Sequence, residues 1–281
     1  MPVRGHIRSF MFQGNDAGNL GFDPFIAQYR AVYDTFTTPP SESVALAQNT
    51  MVTTLVDGGQ WAKKDQFLLL AQESNGDGEA LKNWITPGTN DAVIVNAPAF
   101  VSLEGFTPNG TTSYIDTKWN PTDDGSNYTQ NAASWGLYCR TNVAEIDEDL
   151  GTVAAGNWVY AVLRYAGLNR FYAGTNDGGG TNFAGTFTDS RGFWISNRTA
   201  VDANKYYRNK VEIYDANKTT NGLPSTDFFI GAYNSAGNPI FGTTKQYACY
   251  FTGGTLTTDD ITAITDAVEI YMDFSGKGVI T

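Results

Sequence analysis

The densest chemistry in this sequence is acidic: Glu145, Asp147 and Asp149 alternate along Glu145-Ile-Asp-Glu-Asp149. On an extended strand alternate residues share a face, so all three carboxylates would point the same way. Such a trio could carry retaining glycoside hydrolysis, in which a nucleophile and an acid/base stand ~5–5.5 Å apart. Two features speak against it. The third acid is an aspartate, a methylene shorter than glutamate, so an acid/base there falls short. No aromatic flank suited to stacking a sugar follows. The segment from Val143 to Gly151 therefore reads as a solvated acidic hairpin, and the chain as no enzyme.

Other chemistries have less to stand on. The single histidine, His6, has no serine or cysteine motif placed to use it, and one histidine cannot build a histidine metal site. Calcium has better candidates. Asp123-Asp124-Gly-Ser-Asn127 and Asn176-Asp177-Gly offer hard oxygen ligands on loops, although the same residues favour tight turns for backbone reasons alone. Sugar binding would use exposed aromatics, with Trp119, Tyr128 and Trp194 as candidates; each taken singly reads as core. Gly178-Gly179-Gly180 lacks the Lys-Ser/Thr of a phosphate loop and reads as a turn.

These residues must be positioned by two kinds of element. Asp23-Pro24 opens a helix whose Phe25, Tyr29, Val32, Tyr33 and Phe36 recur on one face, and Pro39-Pro40 stops it. That stripe reads as packing within a small helical domain, with a partner-docking face as the alternative. Ser41 starts a second helix carrying Val44, Ala47, Met51 and Leu55, which ends at Gly58-Gly59. Phe67 to Leu70 is a buried strand or a short helix, and Glu79 to Ile85 one more helix. From about Asn96 the period changes to short β-rich runs, with turn clusters every ~8–12 residues. Trp158 to Leu163 is apolar on both faces and should be a central strand. Thr257 and Asp260 form a capping-box pair ahead of a helix that presents Ile261, Ile264, Val268, Tyr271 and Met272. The expectation is three parts: an extended arm (1–22), a helical region (23–95) and a β-sandwich (96–281).

Composition bounds the partners. The 281 residues carry a formal net charge of −11, with 18 Lys and Arg and no basic cluster, which excludes nucleic acid. An acidic surface resists anionic membranes, and the longest aliphatic run, Phe67 to Ala71, is too short to span one. The first residues lack the apolar core of a signal peptide, so synthesis is expected in a cytoplasm. Cys139 and Cys249 fall on separate expected strands, and a reducing compartment favours free buried thiols.

Beyond these local readings, Glu104-Gly-Phe-Thr-Pro-Asn-Gly-Thr-Thr-Ser-Tyr-Ile-Asp-Thr resembles the opening strands of concanavalin-like, laminin-G-like sandwiches. Tyr206-Tyr-Arg-Asn-Lys-Val-Glu-Ile is similar to their tyrosine-x-asparagine-glycine hairpin. Phe229-Ile-Gly-Ala-Tyr-Asn and Leu256-Thr-Thr-Asp-Asp-Ile resemble their closing strand and terminal helix. Lys210 replaces the hairpin glycine, so a longer hairpin is expected here. Glu148 stands where the glucanases of this fold need an apolar residue. Upstream, Asn49-Thr-Met-Val, Leu55-Val-Asp-Gly-Gly-Gln-Trp-Ala-Lys and Ala80-Leu-Lys-Asn-Trp, ahead of this sandwich, resemble virion structural proteins of tailed bacteriophages of Bacteroidetes-type hosts. The resemblance implies a mainly β fold, a concanavalin-like antiparallel jelly roll with a helical N-terminal region and a C-terminal helix. It also implies a non-enzymatic decoration, head-fibre or tail component, made in the host cytoplasm and located in the virion. Its partners would be other virion proteins and further copies of itself. A lectin-like module for a host-surface glycan is the alternative, ahead of a degenerate glycosidase. Arg4, Arg8, Phe10, Phe12 and Phe22 are the expected assembly contacts of the arm.

Overall fold

The structure, a computed structural model, describes residues 24–179 and 183–281. The five arm residues expected at assembly contacts lie outside them. The chain opens with α1 (Ala27–Tyr33), α2 (Glu42–Asp57), β1 (Lys64–Leu69), β2 (Val93–Val95), β3 (Ala99–Val101) and β4 (Gly105–Thr107). It continues through β5 (Tyr114–Asp116), β6 (Ala133–Cys139), β7 (Leu150–Ala154), β8 (Asn157–Tyr165), β9 (Arg170–Asp177) and β10 (Phe183–Ala184). Then come β11 (Gly192–Ala200), β12 (Ala203–Arg208), β13 (Val211–Asp215), β14 (Phe229–Ile230), β15 (Ala232–Ser235), β16 (Asn238–Gly242), β17 (Tyr247–Gly253) and α3 (Thr258–Phe274).

Two sheets form a β-sandwich. The first runs β13-β12-β11-β6-β17-β4-β3, with β1 pairing β17 beside β4. The second runs β10-β9-β8-β7-β14-β5-β2, with β15 and β16 attached beside β7. Pairing is antiparallel except where β15 lies parallel to β7, at Asn234 opposite Thr152. Gly231 causes that departure. It adopts φ +80 with Pro108 against it, a Cβ there would clash, and the apolar run from Phe228 to Tyr233 is broken into β14 and β15.

The first sheet is buried on both faces, which is why β1, β6 and β17 carry unbroken buried runs. One face meets the second sheet through Trp135, Leu137, Val159, Ala161, Phe171 and Trp194. The other is covered by all three helices, through Tyr29, Val52, Leu55, Ile261, Ile264 and Met272 against Phe67, Phe251 and Ile195. The result is three layers: helices, sheet, sheet. β8 is interior to its sheet, as its apolar run implies.

Several expectations change at this level. The region 23–95 is not helical throughout. It supplies β1 to the first sheet and β2 to the second, so residue 96 falls inside a shared fold. The aromatic stripe of α1 packs on this common core and on Trp84, rather than within a separate small domain. That helix starts at Ala27, where Ile26 N–H donates to Asn49 Oδ1 on α2, later than the Asp23-Pro24 signal. The turn at Glu79–Leu81 is a single 3-10 turn. The β12–β13 hairpin is not lengthened: Asn209 and Lys210 both take positive φ, 50 and 74, in a two-residue turn. Asn209 Oδ1 accepts from Phe193 N–H, and Lys210 Nζ reaches Asp266 on α3 at 2.6 Å. α3 keeps its capping box, with Thr257 and Asp260 exchanging hydrogen bonds. Among the described residues no helix is long and apolar enough to cross a membrane.

Candidate functional site

The start of β1 organises one end of the sandwich. Asp65 is almost fully buried, and its carboxylate accepts from the backbone N–H groups of Ser126 (3.3 Å), Asn127 (2.8 Å) and Tyr128 (2.7 Å). Asn127 answers with its amide, donating to the carbonyls of Ala62 and Lys64, both at 3.2 Å. Within the same loop Asn120 Oδ1 accepts from Thr122 and Asp123 N–H, and Asp124 Oδ2 accepts from Asn120 N–H at 2.8 Å. Gly125 completes it, since a Cβ would lie 2.5 Å from the Pro121 carbonyl oxygen. A third segment closes in when Gln66 Nε2 donates to the carbonyls of Asn90 and Thr117.

These three segments enclose a cleft of about 540 Å3, within the size range of small-ligand sites. Trp61 and Ile85 supply apolar wall, while Asp65, Asp124, Thr89 and Asn90 supply carboxylate, hydroxyl and amide groups. Trp119 also lines it, and its indole N–H is buried without an acceptor. Lys64 lines it too, but its amine turns onto the Phe251 ring, 3.5 Å from the centroid, with no hydrogen-bond partner. Burial pushes the Lys64 pKa well below the ordinary lysine value. Apolar walls with a few convergent polar groups make this cleft the candidate site.

The loop singled out for calcium thus sits at this cleft, where Asp124 Oδ2 accepts from Asn120 N–H and Asp123 Oδ2 from the Asn120 side-chain amide at 3.3 Å. Among the described residues no group of three His, Cys, Asp or Glu side chains is placed to hold a metal. The second calcium candidate is drawn to the same end of the sandwich by Tyr128 Oη, which donates to Asn176 Oδ1 at 2.8 Å. The Asn176 amide donates to the Thr129 and Gln130 carbonyls, and Asp177 lies 3.7 Å from Lys218.

The aromatic candidates are core residues. Trp119, Tyr128 and Trp194 are each 1% exposed or less. Trp194 stacks on Phe171 at 5.0 Å and donates its indole N–H to Ser190 O. Only Trp119 touches the cleft.

The acidic motif is a correction. It is not a solvated hairpin, because Glu145 and Asp149 converge on the fully buried Lys245, at 3.1 and 3.0 Å. Asp149 is itself fully buried and also accepts from Tyr247 Oη at 2.5 Å and Leu163 N–H at 2.7 Å. Both oxygens are spent inside the protein. Burial, with the neighbouring Asp147 and Asp149 adding to it, pushes Glu148 up to about 7. The motif is a buried ion cluster at the base of β7, remote in role from an acid/base pair facing a substrate.

Asp65, Trp61, Ile85 and Asn90 were not singled out by sequence. They lie in the stretch read as helical, and no local pattern ties them to a loop some sixty residues onward.

No family model matches the chain, and neither does any curated protein. Solved structures do. A mutant of Trypanosoma rangeli sialidase displaying trans-sialidase activity superposes with a TM-score of 0.55 at 14% identity, over 80% of this chain and 39% of that one. Trypanosoma rangeli sialidase in complex with sialic acid gives 0.53 at 15% identity, over 79% and 39%. The receptor binding domain of botulinum neurotoxin C/D mosaic serotype gives 0.52 at 11% identity, over 73% and 51%. This chain spans about two fifths of the length of those sialidases. At such identities the likeness is one of fold: the chain is similar to β-sandwich portions of these proteins.

Proposed function

We propose that this chain is a non-enzymatic β-sandwich that binds a glycan in the cleft between the 61–65 turn, the 85–90 loop and the 119–127 loop. The observation that carries the reading is the cleft itself. It pairs apolar walls at Trp61 and Ile85 with carboxylate, amide and hydroxyl groups on rigidly hydrogen-bonded loops. A sugar offers the matching surfaces, an apolar ring face and a rim of hydroxyls. The fold similarity to part of a sialidase in complex with sialic acid is in keeping with this class of ligand. Absence of catalysis is part of the proposal, because Asp149 and Glu145 are both engaged by Lys245.

The resemblance to tailed-phage structural proteins adds a setting: a sandwich displayed on a virion as a decoration, head-fibre or tail component, in several copies. A glycan array probed with the whole protein tests the binding. Reproducible signals that fall at least tenfold in Trp119→Phe or Thr89→Val support it, while a blank array or unchanged variants overturn it. Release of reducing sugar from laminarin or lichenan, abolished by Glu145→Gln, would overturn the non-enzymatic part. Labelling of this chain on purified particles tests the setting.

A further inference from the structure

The charge lining the cleft is one-sided, and the ligand class follows from that. Resting on the glycan-binding reading above, the geometry points to a site that selects uncharged sugars and rejects those bearing a carboxylate, such as sialic and uronic acids.

Two carboxylates, Asp65 and Asp124, line the cleft. Asp65 is surrounded by three backbone donors, whereas Asp124 accepts one from Asn120 and keeps acceptor capacity for a ligand hydroxyl. Among the described residues no cation in the lining balances them. Among the described residues Lys64 is the one basic residue in the lining, and it is buried, with its amine over the Phe251 ring on the helix side of the sheet. The neighbouring cations are already engaged: Lys63 with Asp260, Lys82 with Asp91 at 3.2 Å, and Lys118 with Asp116 at 2.5 Å. Among the described residues no arginine lines the cleft.

Recognition of a sugar carboxylate draws on charge-assisted hydrogen bonds from arginine or lysine. Here such a group would meet two like charges instead, in a concave site where charge interactions are less screened than in water. A neutral pyranose meets no such conflict. Its hydroxyls can donate to Asp124 and to the Asn90 side-chain carbonyl, both in the lining. The fold resembles part of the sialidases, but the charge of this cleft is opposite to what an acidic sugar requires.

The test compares neutral oligosaccharides with their α2,3-sialylated counterparts, printed side by side on one array and probed with the full chain. Neutral members should give the signals, and sialylation should lower them at least tenfold. Asp124→Asn should narrow that gap, and so should raising the salt from 50 to 500 mM, since screening weakens exposed like-charge repulsion. Equal or stronger binding of the sialylated forms would overturn the charge selection while leaving glycan binding intact. So would a gap that neither Asp124→Asn nor salt alters. A blank array sinks the glycan reading and this selection together.

Discussion

Lys245 and Asp149 are both fully buried, and the lysine amine sits 3.0 Å from the Asp149 carboxylate where β17 and β7 begin. The pair joins the two sheets, because Tyr247 on β17 donates to the same carboxylate. Burial opposes a charge on Lys245, but the Asp149 and Glu145 carboxylates outweigh it and raise the lysine pKa. The lysine is held charged inside the sandwich.

Removing one partner of such a pair leaves an uncompensated buried charge. Lys245→Met should therefore cost about 3–5 kcal/mol in a urea titration. The double variant with Asp149→Asn should recover part of that loss. A single variant within about 0.5 kcal/mol of wild type would contradict the ion cluster.

Lys64 should behave in the opposite way. Its amine has no hydrogen-bond partner, and burial depresses its pKa in the fold. The unfolded chain keeps this proton up to about pH 10.5, whereas the folded chain releases it well below that value. Between those two values the unfolded state binds more protons, so stability rises with pH there and is lost as pH falls. Lys64→Met should raise the denaturation midpoint at pH 7, with a gain that shrinks toward pH 10. A gain that grew with pH would refute this.

Cys139 and Cys249 are both free and fully buried, and they belong to different cores. Cys139 packs between the sheets, while Cys249 lies under the helices. Burial raises both thiol pKa values, that of Cys139 to about 12. Iodoacetamide at pH 8 should label neither thiol in the folded protein and both in denaturant without reductant. A mass showing no label in denaturant would mean a disulfide.

A fragment of residues 96–281 should not melt cooperatively. It lacks β1, whose six residues are all buried along β17, and it lacks the two helices that cover Phe251 and Ile264. Leaving that apolar face in water removes on the order of 25 cal/mol per Å2 of burial and exposes the edge of β17. A sharp calorimetric transition for the fragment would show that the sandwich stands alone.

Lys210 offers a smaller test. At φ 74 it bears a cost that glycine would not, roughly 1 kcal/mol. Its contact with Asp266 is exposed on both sides and contributes little. Lys210→Gly should leave the hairpin intact and stabilise the protein slightly, by less than about 1 kcal/mol; a loss of stability would show that the Asp266 contact outweighs the strain.

What the sequence determined by itself is what local repetition can encode. Thr257 and Asp260 lie three residues apart, so their capping box is written within one helical turn. The doubly apolar run of β8 and the spacing of Val44, Met51 and Leu55 mark buried faces for the same reason. Which face meets which partner is another matter. Asp65 finds the 126–128 loop across about sixty positions, and Lys245 finds Asp149 across 96. Such meetings depend on sheet order and register, and neighbouring residues carry no trace of them. Periodicity says that Phe67 to Leu69 is buried without saying that β17 lies beside it. An acidic motif looks the same on paper whether water or a buried lysine neutralises it. Only the tertiary structure supplies Lys245, and with it the difference between a solvated hairpin and an ion cluster.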